Sequence, residues 1–169
     1  SAAAYGNPLL LPITHAYIKL LGAAGLKKVT QVAILNANYM AAQFEPEFKT
    51  LYSGATGRVA HECIIDCQHF KSEYGVDATD IAKRLMDYGF HAPTLSFPVH
   101  ETLMVEPTES EPKEEMDRFI EAMKQIKIEC EKIKAGEWYA KDNPVCKKKK
   151  KAEEVCSDEW NHPYSRTVA

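Results

Sequence analysis

A long stripe of apolar residues in the second half of the chain constrains the fold most strongly. Its members recur at steps of three and four residues: Met116, Phe119, Ile120, Met123, Ile126, Cys130 and Ile133. That spacing puts all of them on one face of an α-helix of about five turns. Gly136 follows at a position suited to the left-handed residue that ends many helices. The sequence therefore predicts an amphipathic helix that must bury one face against another layer.

Two further helices are predicted in residues 1–45. The first begins at Pro12, which suits a first helical turn, and Gly22 and Gly25 suit the break after it. The second presents an apolar face over residues 29–44 and stops before Pro46, because proline disfavours helix in the residue before it. Residues 1–45 are therefore predicted to form a helical lead-in to the rest of the fold.

Asn36 and Asn38 are unusual within the second of these helices. Asparagine is a poor interior helix former, since its side chain competes for backbone hydrogen bonds. Each is therefore predicted to bond to a neighbouring element, and this structural interpretation is favoured over a role in ligand binding.

Residues 46–136 are predicted to form a small domain. Three segments have the composition of strands: Val59–Asp66, Pro93–Val99 and Thr102–Val105. A tight turn at His100-Glu101 is predicted to join the last two. A helix from about Thr79 to Tyr88, capped by Asp77 and ended by Gly89, follows the first strand. The predicted fold class is α/β (α+β), with helices packed on a small, mostly antiparallel sheet.

Residues 137–169 lack a sustained period and are predicted to form an irregular C-terminal arm. The run Lys147–Lys151 could attract an anionic surface, but four acids follow it closely: Glu153, Glu154, Asp158 and Glu159. A solvated tail in which the acidic side chains offset the lysine charges is the favoured interpretation. The formal net charge of −3 gives no electrostatic reason to expect nucleic acid.

The five cysteines lack the spacing of a disulfide framework, so reduced thiols are predicted. The apolar stretch Leu9–Ile13 is too short to span a bilayer, and no membrane contact is predicted. The chain begins without methionine, in mid-pattern, as a piece of a longer polypeptide would.

His61-Glu62 is the first candidate site. On a strand these side chains point to opposite faces, so they line one pocket only if the strand bulges or twists. The segment lacks the second histidine of the His-Glu-x-x-His zinc helix. His61, Cys63 and Cys67 share a face in this interpretation, but strand residues four apart are about 13 Å from each other. No metal site is predicted, and a hydrogen-bonded core or interface histidine stays the alternative for His61.

His91 and Glu106 are the other candidates. His91 lies at a helix-to-strand turn, where a side chain can serve a site or cap the preceding carbonyls. Glu106 ends a strand before a turn directed by Pro107. Thr108 and Glu111 stand in capping-box register before the long helix, with Ser110 as an alternative cap. A capping box of Thr108 and Glu111 does not involve Glu106, which is therefore without a structural explanation.

Several blocks of the chain closely resemble the C-terminal region of the glycine decarboxylases, the pyridoxal-phosphate-dependent P-proteins of the glycine cleavage system. The blocks occur in the same order as in that family: Ala33-Ile-Leu-Asn-Ala-Asn-Tyr39, Arg58-Val-Ala-His61-Glu62, Tyr88-Gly-Phe-His91-Ala-Pro93, Leu103-Met-Val-Glu106-Pro-Thr-Glu-Ser-Glu111 and Asn161-His-Pro163-Tyr-Ser-Arg166. Several long motifs in order are more specific than any single one. Position 4–5 departs from the family, which often has Pro-Trp there.

The resemblance implies the smaller, C-terminal domain of an aspartate-aminotransferase-like enzyme. In that family glycine loses its carboxylate as carbon dioxide, and the aminomethyl group passes to the lipoyl arm of the H-protein. The lysine that forms the Schiff base with pyridoxal phosphate lies upstream, and no His-Lys pair occurs here. The chain is therefore expected to hold no cofactor and to be inactive alone, but to complete an oxidoreductase with the rest of the P-protein or its second subunit, as a homo- or hetero-oligomer.

The resemblance also assigns expected roles. His61, Glu62, His91 and Glu106 are expected at the mouth of the active site, and Arg58 as a clamp for the carboxylate of glycine. The family works in the bacterial cytoplasm or the mitochondrial matrix. A stand-alone protein-interaction module of the same fold is the alternative.

Overall fold

The computed structural model describes residues 6–146 and 156–168. After a 3-10 turn at Pro8–Leu10 the elements are, in chain order, α1 (Leu11–Phe44), β1 (Thr50–Leu51), β2 (Cys63–Asp66), α2 (Gln68–Tyr74), α3 (Ala78–Asp87), β3 (Thr94–Leu95), β4 (Thr102–Val105) and α4 (Lys113–Lys134). Mixed helix and sheet confirm the predicted fold class. The run Lys147–Lys151 lies outside the described residues.

Helix α1 is broken where the sequence predicts a break. Gly22 adopts φ 62° and ψ −177°, a conformation that side chains other than glycine rarely accept, and helix resumes after it. The part before Gly22 is almost entirely exposed, whereas Asn36, Ala37, Met40 and Phe44 reach the core. The predicted end before Pro46 is confirmed, with Phe44 as the last helical residue.

The exposed surface of the 3-10 turn and the first part of α1 is strongly apolar. Its solvent-facing side chains are distributed around the helix axis and include Leu9, Leu11, Ile13, Ile18 and Leu20. The helix Pro8–Phe44 is long and apolar enough to cross a membrane by length and composition, with a mean hydropathy of 1.4 over an 18-residue stretch that is not buried. The apolar run is thus longer than Leu9–Ile13 alone indicated. Such a face is also what a second protein surface covers, and the absence of membrane contact stays a prediction.

Within the described residues the four strands form one antiparallel sheet in the order β1-β2-β4-β3. The central pair sets its register, with Cys63 opposite Val105 and Asp66 opposite Thr102. The predicted mostly antiparallel sheet is confirmed. The two-residue strand β1 was not predicted, since so short a segment shows no alternation.

Two predicted strands are shorter than expected. The prediction of strand over Val59–Asp66 is wrong for its first half, because the backbone N–H and C=O of Val59 bond to the side chain of Asn38. Pro93–Val99 is strand only at Thr94–Leu95. Ser96 turns the chain with φ 52°, and the hydroxyl of Thr102 donates to the carbonyl of Val99 at 2.6 Å. The connection to β4 is therefore a six-residue loop rather than a tight turn at His100-Glu101.

Helix α4 confirms the main prediction from the sequence. Its apolar stripe is buried, and Met123, Ile126 and Cys130 are fully enclosed with Ile65 and Leu103 of the sheet in one core. Burying a side chain of this size contributes roughly 1.5–3 kcal/mol.

The predicted capping box before α4 is wrong. The helix begins after Pro112, too late for Thr108 to cap it. Thr108 instead adopts φ 57°, and its hydroxyl accepts a hydrogen bond from the N–H of Ser110 at 3.2 Å. The segment from Glu106 to Glu111 is therefore a loop of its own and not the first turn of a helix.

Helix α3 follows its prediction closely. Asp77 accepts from the N–H of Asp80 at 2.9 Å, and the side chain of Asp80 accepts from the N–H of Asp77, which completes a capping box. Gly89 takes φ 81° after its end. Helix α2 was not predicted. It spans seven residues and buries only Phe70, so no periodic stripe marks it.

A buried ion pair joins α3 to α4. The guanidinium of Arg84 donates to both carboxylate oxygens of Glu129, at 2.9 and 2.8 Å, and also to the carbonyl of Val168 at 2.8 Å. The hydroxyl of Tyr88 donates to the same carboxylate at 2.9 Å. Burial, and then the charge of Glu129, raises the pKa of Tyr88 to about 12. The network fixes two helices and the end of the arm to one another.

The described parts of the arm pack on this core without regular secondary structure. Trp138, Val145 and Tyr164 are buried. Asn143 is fully enclosed, donating to the carbonyls of Tyr139 and Ala140 and accepting from the N–H groups of Val145 and Cys146.

Replacing Glu129 with Gln is expected to lower the free energy of unfolding by about 3–5 kcal/mol, because Arg84 stays buried without its counter-charge. Replacing both partners, Arg84 with Met and Glu129 with Leu, is expected to recover most of that loss. The matched control is Glu115→Gln in the exposed pair with Arg118, which should cost at most about 1 kcal/mol. Urea unfolding of the 169-residue chain measures all three, and equal losses at Glu129 and Glu115 would contradict the account.

The free energy of unfolding is expected to fall as pH rises from about 9 towards 12. Burial raises the pKa of the Cys63 and Cys67 thiols from 9.0 to about 12, so in this range the unfolded chain releases protons that the folded chain keeps. Cys67→Ala should make the pH slope between about pH 10 and 11 shallower by about 1.4 kcal/mol per pH unit. The exposed Cys156, replaced by Ala, is the control, and an equal change there would refute the assignment.

Candidate functional site

The pairing of β2 with β4 brings two of the candidate residues together. Because Cys63 lies opposite Val105, the residues just before β2 and just after β4 meet at one end of the sheet. Nε2 of His61 lies 3.8 Å from Oε1 of Glu106 and 3.7 Å from Oε2 of Glu62. The prediction that His61 and Glu62 diverge is wrong, since both lie in the loop before β2.

This pair is open to solvent. The side chain of His61 is 56% exposed and that of Glu106 is 49% exposed. An ion pair so exposed stabilises a fold by at most about 1 kcal/mol. Stability therefore does not explain the arrangement. An imidazole between two carboxylates can accept, hold and return a proton, which is the chemistry of general acid–base catalysis.

A cavity of about 460 Å³, called here the acidic cavity, contains His91 and Glu106 together. Its other carboxylates come from Glu111 and Glu115. Its apolar wall includes Met40, Phe90, Met104, Met116 and Phe119. Glu115 is paired with Arg118, so the cavity combines an apolar interior and one imidazole with the negative charge of Glu106 and Glu111, which suits an apolar ligand with a cationic end.

His91 is held at the mouth of the acidic cavity by the turn after α3. The carbonyls of the last turn of that helix accept from the N–H groups of Tyr88, Gly89 and Phe90. The alternative prediction, that the side chain of His91 caps these carbonyls, is therefore wrong. The imidazole is exposed and lines the cavity.

A second depression, called here the α1 groove, has a volume of about 310 Å³. Its walls include Thr30, Ala33 and Ile34 of α1, together with His61 and Glu106. Glu106 therefore borders both this groove and the acidic cavity. The four residues His61, Glu62, His91 and Glu106 belong to one region at one end of the sheet.

The structure does not bring Arg58 into that region. Arg58 closes a turn in which the N–H of Gly54 donates to its carbonyl at 2.8 Å. Its side chain lines a separate cleft of about 750 Å³, beside Leu35 and Glu45. Its expected role with the carboxylate of glycine stays a prediction.

Sequence reasoning missed Glu115 and gave Glu111 only a capping role. The signal was present, since the two acids are four residues apart in the sequence and follow Glu106 and Glu109 closely. Asn36 and Asn38 fulfil their prediction. Asn36 donates to the carbonyl of Thr108 at 2.9 Å, and Asn38 bonds to Val59.

The acidic cavity does not suit pyridoxal phosphate. A phosphate needs cations or free helix N–H groups, whereas this lining has three carboxylates and no lysine or arginine. Within residues 6–146 and 156–168 no group of three histidine, cysteine or acidic side chains could hold a metal ion.

Comparison with known proteins places the chain in a family. Residues 29–150 match the family model described as glycine dehydrogenase, C-terminal domain. Over all 169 residues the chain is 57% identical to the glycine dehydrogenases (decarboxylating) of Salmonella arizonae, Escherichia coli and Escherichia fergusonii. It spans 18% of the length of each of these relatives. The chain belongs to the glycine dehydrogenase family and corresponds to its C-terminal domain.

Proposed function

We propose that this chain is the C-terminal part of a pyridoxal-phosphate-dependent glycine dehydrogenase (decarboxylating). The whole protein would remove the carboxylate of glycine and pass the aminomethyl group to the lipoyl arm of an H-protein. Convergence of His61 and Glu106 at an open sheet end, within a chain of this family, is the observation that carries the proposal. The compartment would be the cytoplasm in a bacterium and the mitochondrial matrix in a eukaryote.

Three features support the proposal that this chain closes over a large domain and completes its active site, rather than holding a complete site itself. The chain is 18% of the length of its relatives. The N-terminal segment that carries Leu9, Leu11, Ile13, Ile18 and Leu20 is exposed and apolar, as a surface covered by a large domain would be. The acidic cavity lacks a cation for the cofactor phosphate. Residues 1–45 would then lead in from the large domain, residues 46–136 form the small domain, and residues 137–169 the arm.

The cofactor, held by the large domain, supplies the electron sink for decarboxylation. This chain supplies proton handling at the mouth of the site. Nε2 of His61 lies within 4 Å of the carboxylates of Glu62 and Glu106, so an imidazole and two carboxylates that could exchange a proton lie side by side. Once a large domain covers the site, water is displaced and these interactions strengthen. Glycine would be the substrate, with Arg58 proposed for its carboxylate.

The acidic cavity suits the lipoyl arm of the H-protein. The arm is an apolar chain, and it carries an ammonium group after it accepts the aminomethyl unit. Met104, Met116 and Phe119 would contact the chain, while Glu106 would attract the ammonium group. The side chain of His91, at the rim, would position the arm where it enters the cavity.

In the full-length protein, His61→Gln and Glu106→Gln are each expected to lower kcat for glycine decarboxylation by about 100-fold, the usual contribution of a positioned acid or base. His69→Gln on α2, away from the site, is the matched histidine control and should keep the full rate. Carbon dioxide release in the presence of lipoylated H-protein measures all three. Equal rates for the His61 and His69 variants would refute the role of His61.

The isolated 169-residue chain is expected to bind no pyridoxal phosphate, because neither a cofactor lysine nor a phosphate site is built into the described residues. Adding the chain to a mixture of the cofactor and glycine should leave the absorbance spectrum of that mixture unchanged. The full-length protein under the same conditions is the positive control. Glycine decarboxylation by the isolated chain would contradict the closing role and favour a complete enzyme.

A further inference from the structure

We infer that Asn36 and Asn38 of α1 are positioning residues that hold His61 and Glu106 at their mutual distance, an inference that rests on the proposed function. Two separate loops carry these side chains, and neither loop is regular strand or helix at that point. One asparagine of α1 bonds to the backbone of each loop, at a position two residues along the chain from the candidate side chain. The clamps are Asn38 on Val59 and Asn36 on Thr108.

Asn38 holds the loop before β2 as a neighbouring strand would. Its Nδ2 donates to the carbonyl of Val59 at 2.8 Å, and its Oδ1 accepts from the N–H of Val59 at 3.0 Å. The same Nδ2 donates to the carbonyl of Ile34 at 2.8 Å, which fixes the rotamer against the helix. An amide provides both a donor and an acceptor, as this paired contact requires.

Asn36 holds the loop after β4. Its Nδ2 donates to the carbonyl of Thr108 at 2.9 Å, and the side chain is buried in that contact. Thr108 stands in the left-handed region at φ 57°, a conformation that the surroundings must maintain. This bond fixes the backbone of the loop two residues beyond Glu106.

The two asparagines flank the α1 groove. Successive helical residues are rotated by about 100°, so Asn36 and Asn38 point about 160° apart around the axis. The stripe between them is formed by Thr30, Ala33 and Ile34, which line the groove with His61 and Glu106. One rigid helix thus aligns both loops from opposite sides. Asparagine inside a helix costs about 0.5 kcal/mol relative to alanine, a cost that this alignment explains.

The test uses the full-length protein with the variants Asn36→Ala and Asn38→Ala. Each is expected to lower kcat for glycine decarboxylation by roughly ten-fold to 100-fold, because a misplacement of about 1 Å has effects of this size. KM for glycine should change by less than about two-fold, since the clamps touch no substrate. Asn38→Asp keeps the acceptor for the N–H of Val59 but sets a carboxylate oxygen against the carbonyls of Val59 and Ile34, so it should lower kcat at least as much as Asn38→Ala.

Asn143→Ala is the matched control. It removes a more deeply buried asparagine that ties a loop of the arm, so it should lower the unfolding temperature without changing kcat at temperatures where the protein stays folded. An equal fall in kcat for Asn143→Ala and Asn38→Ala would show a general effect of stability and overturn the inference.

The decisive comparison repeats Asn38→Ala in a His61→Gln background. If Asn38 acts through His61, the second change costs no further kcat. If His61→Gln lowers kcat and adding Asn38→Ala lowers it further by the same factor as in the wild-type background, Asn38 does not position His61. The proposed site itself is then retained. If His61→Gln alone keeps the full kcat, the proposed site itself is wrong, and the positioning role falls with it.

Discussion

The register between β2 and β4 determines where the functional side chains of this domain lie. Cys63 faces Val105, so the loop that enters β2 and the loop that leaves β4 emerge side by side. A shift of one residue would turn Ile65 and Leu103, both fully buried, out of the core. The strong preference for that burial therefore also fixes the proximity of His61 and Glu106, although these two residues contribute little to stability themselves.

Strand pairing alone does not fix the positions of the functional side chains precisely. The helices packed on the sheet add this precision. Helix α4 covers the sheet with its apolar stripe, and the buried pair of Arg84 and Glu129 fixes α3 against it. Helix α1 contributes differently, because its asparagines bond to loop backbone instead of burying apolar area. The open site is thus supported by a rigid core, while the first part of α1 offers an apolar face for a larger partner surface.

Much of this architecture could be predicted from the sequence. Helix α4, helix α3 with its box at Asp77, and the break at Gly22 follow from local rules of spacing and capping. The candidates His61 and His91 could be named because of a family resemblance, and Glu106 also because no structural need explained it. The convergence of His61 with Glu62 could not be predicted, since it depends on a side chain of α1 replacing a strand partner of Val59. Similarly, the prediction that Thr108 caps α4 was wrong because the sequence does not show that the helix begins only at Lys113.

We propose that His61 and Glu106 act together at the mouth of a site completed by a larger domain. An experimental structure of the full-length protein with cofactor and glycine bound would test this most directly. We expect Nε2 of His61 to lie within hydrogen-bonding reach of the substrate, directly or through one water, with Glu106 beside it. A structure in which the pair faces bulk solvent, on the side of the domain away from the bound glycine, would contradict the account.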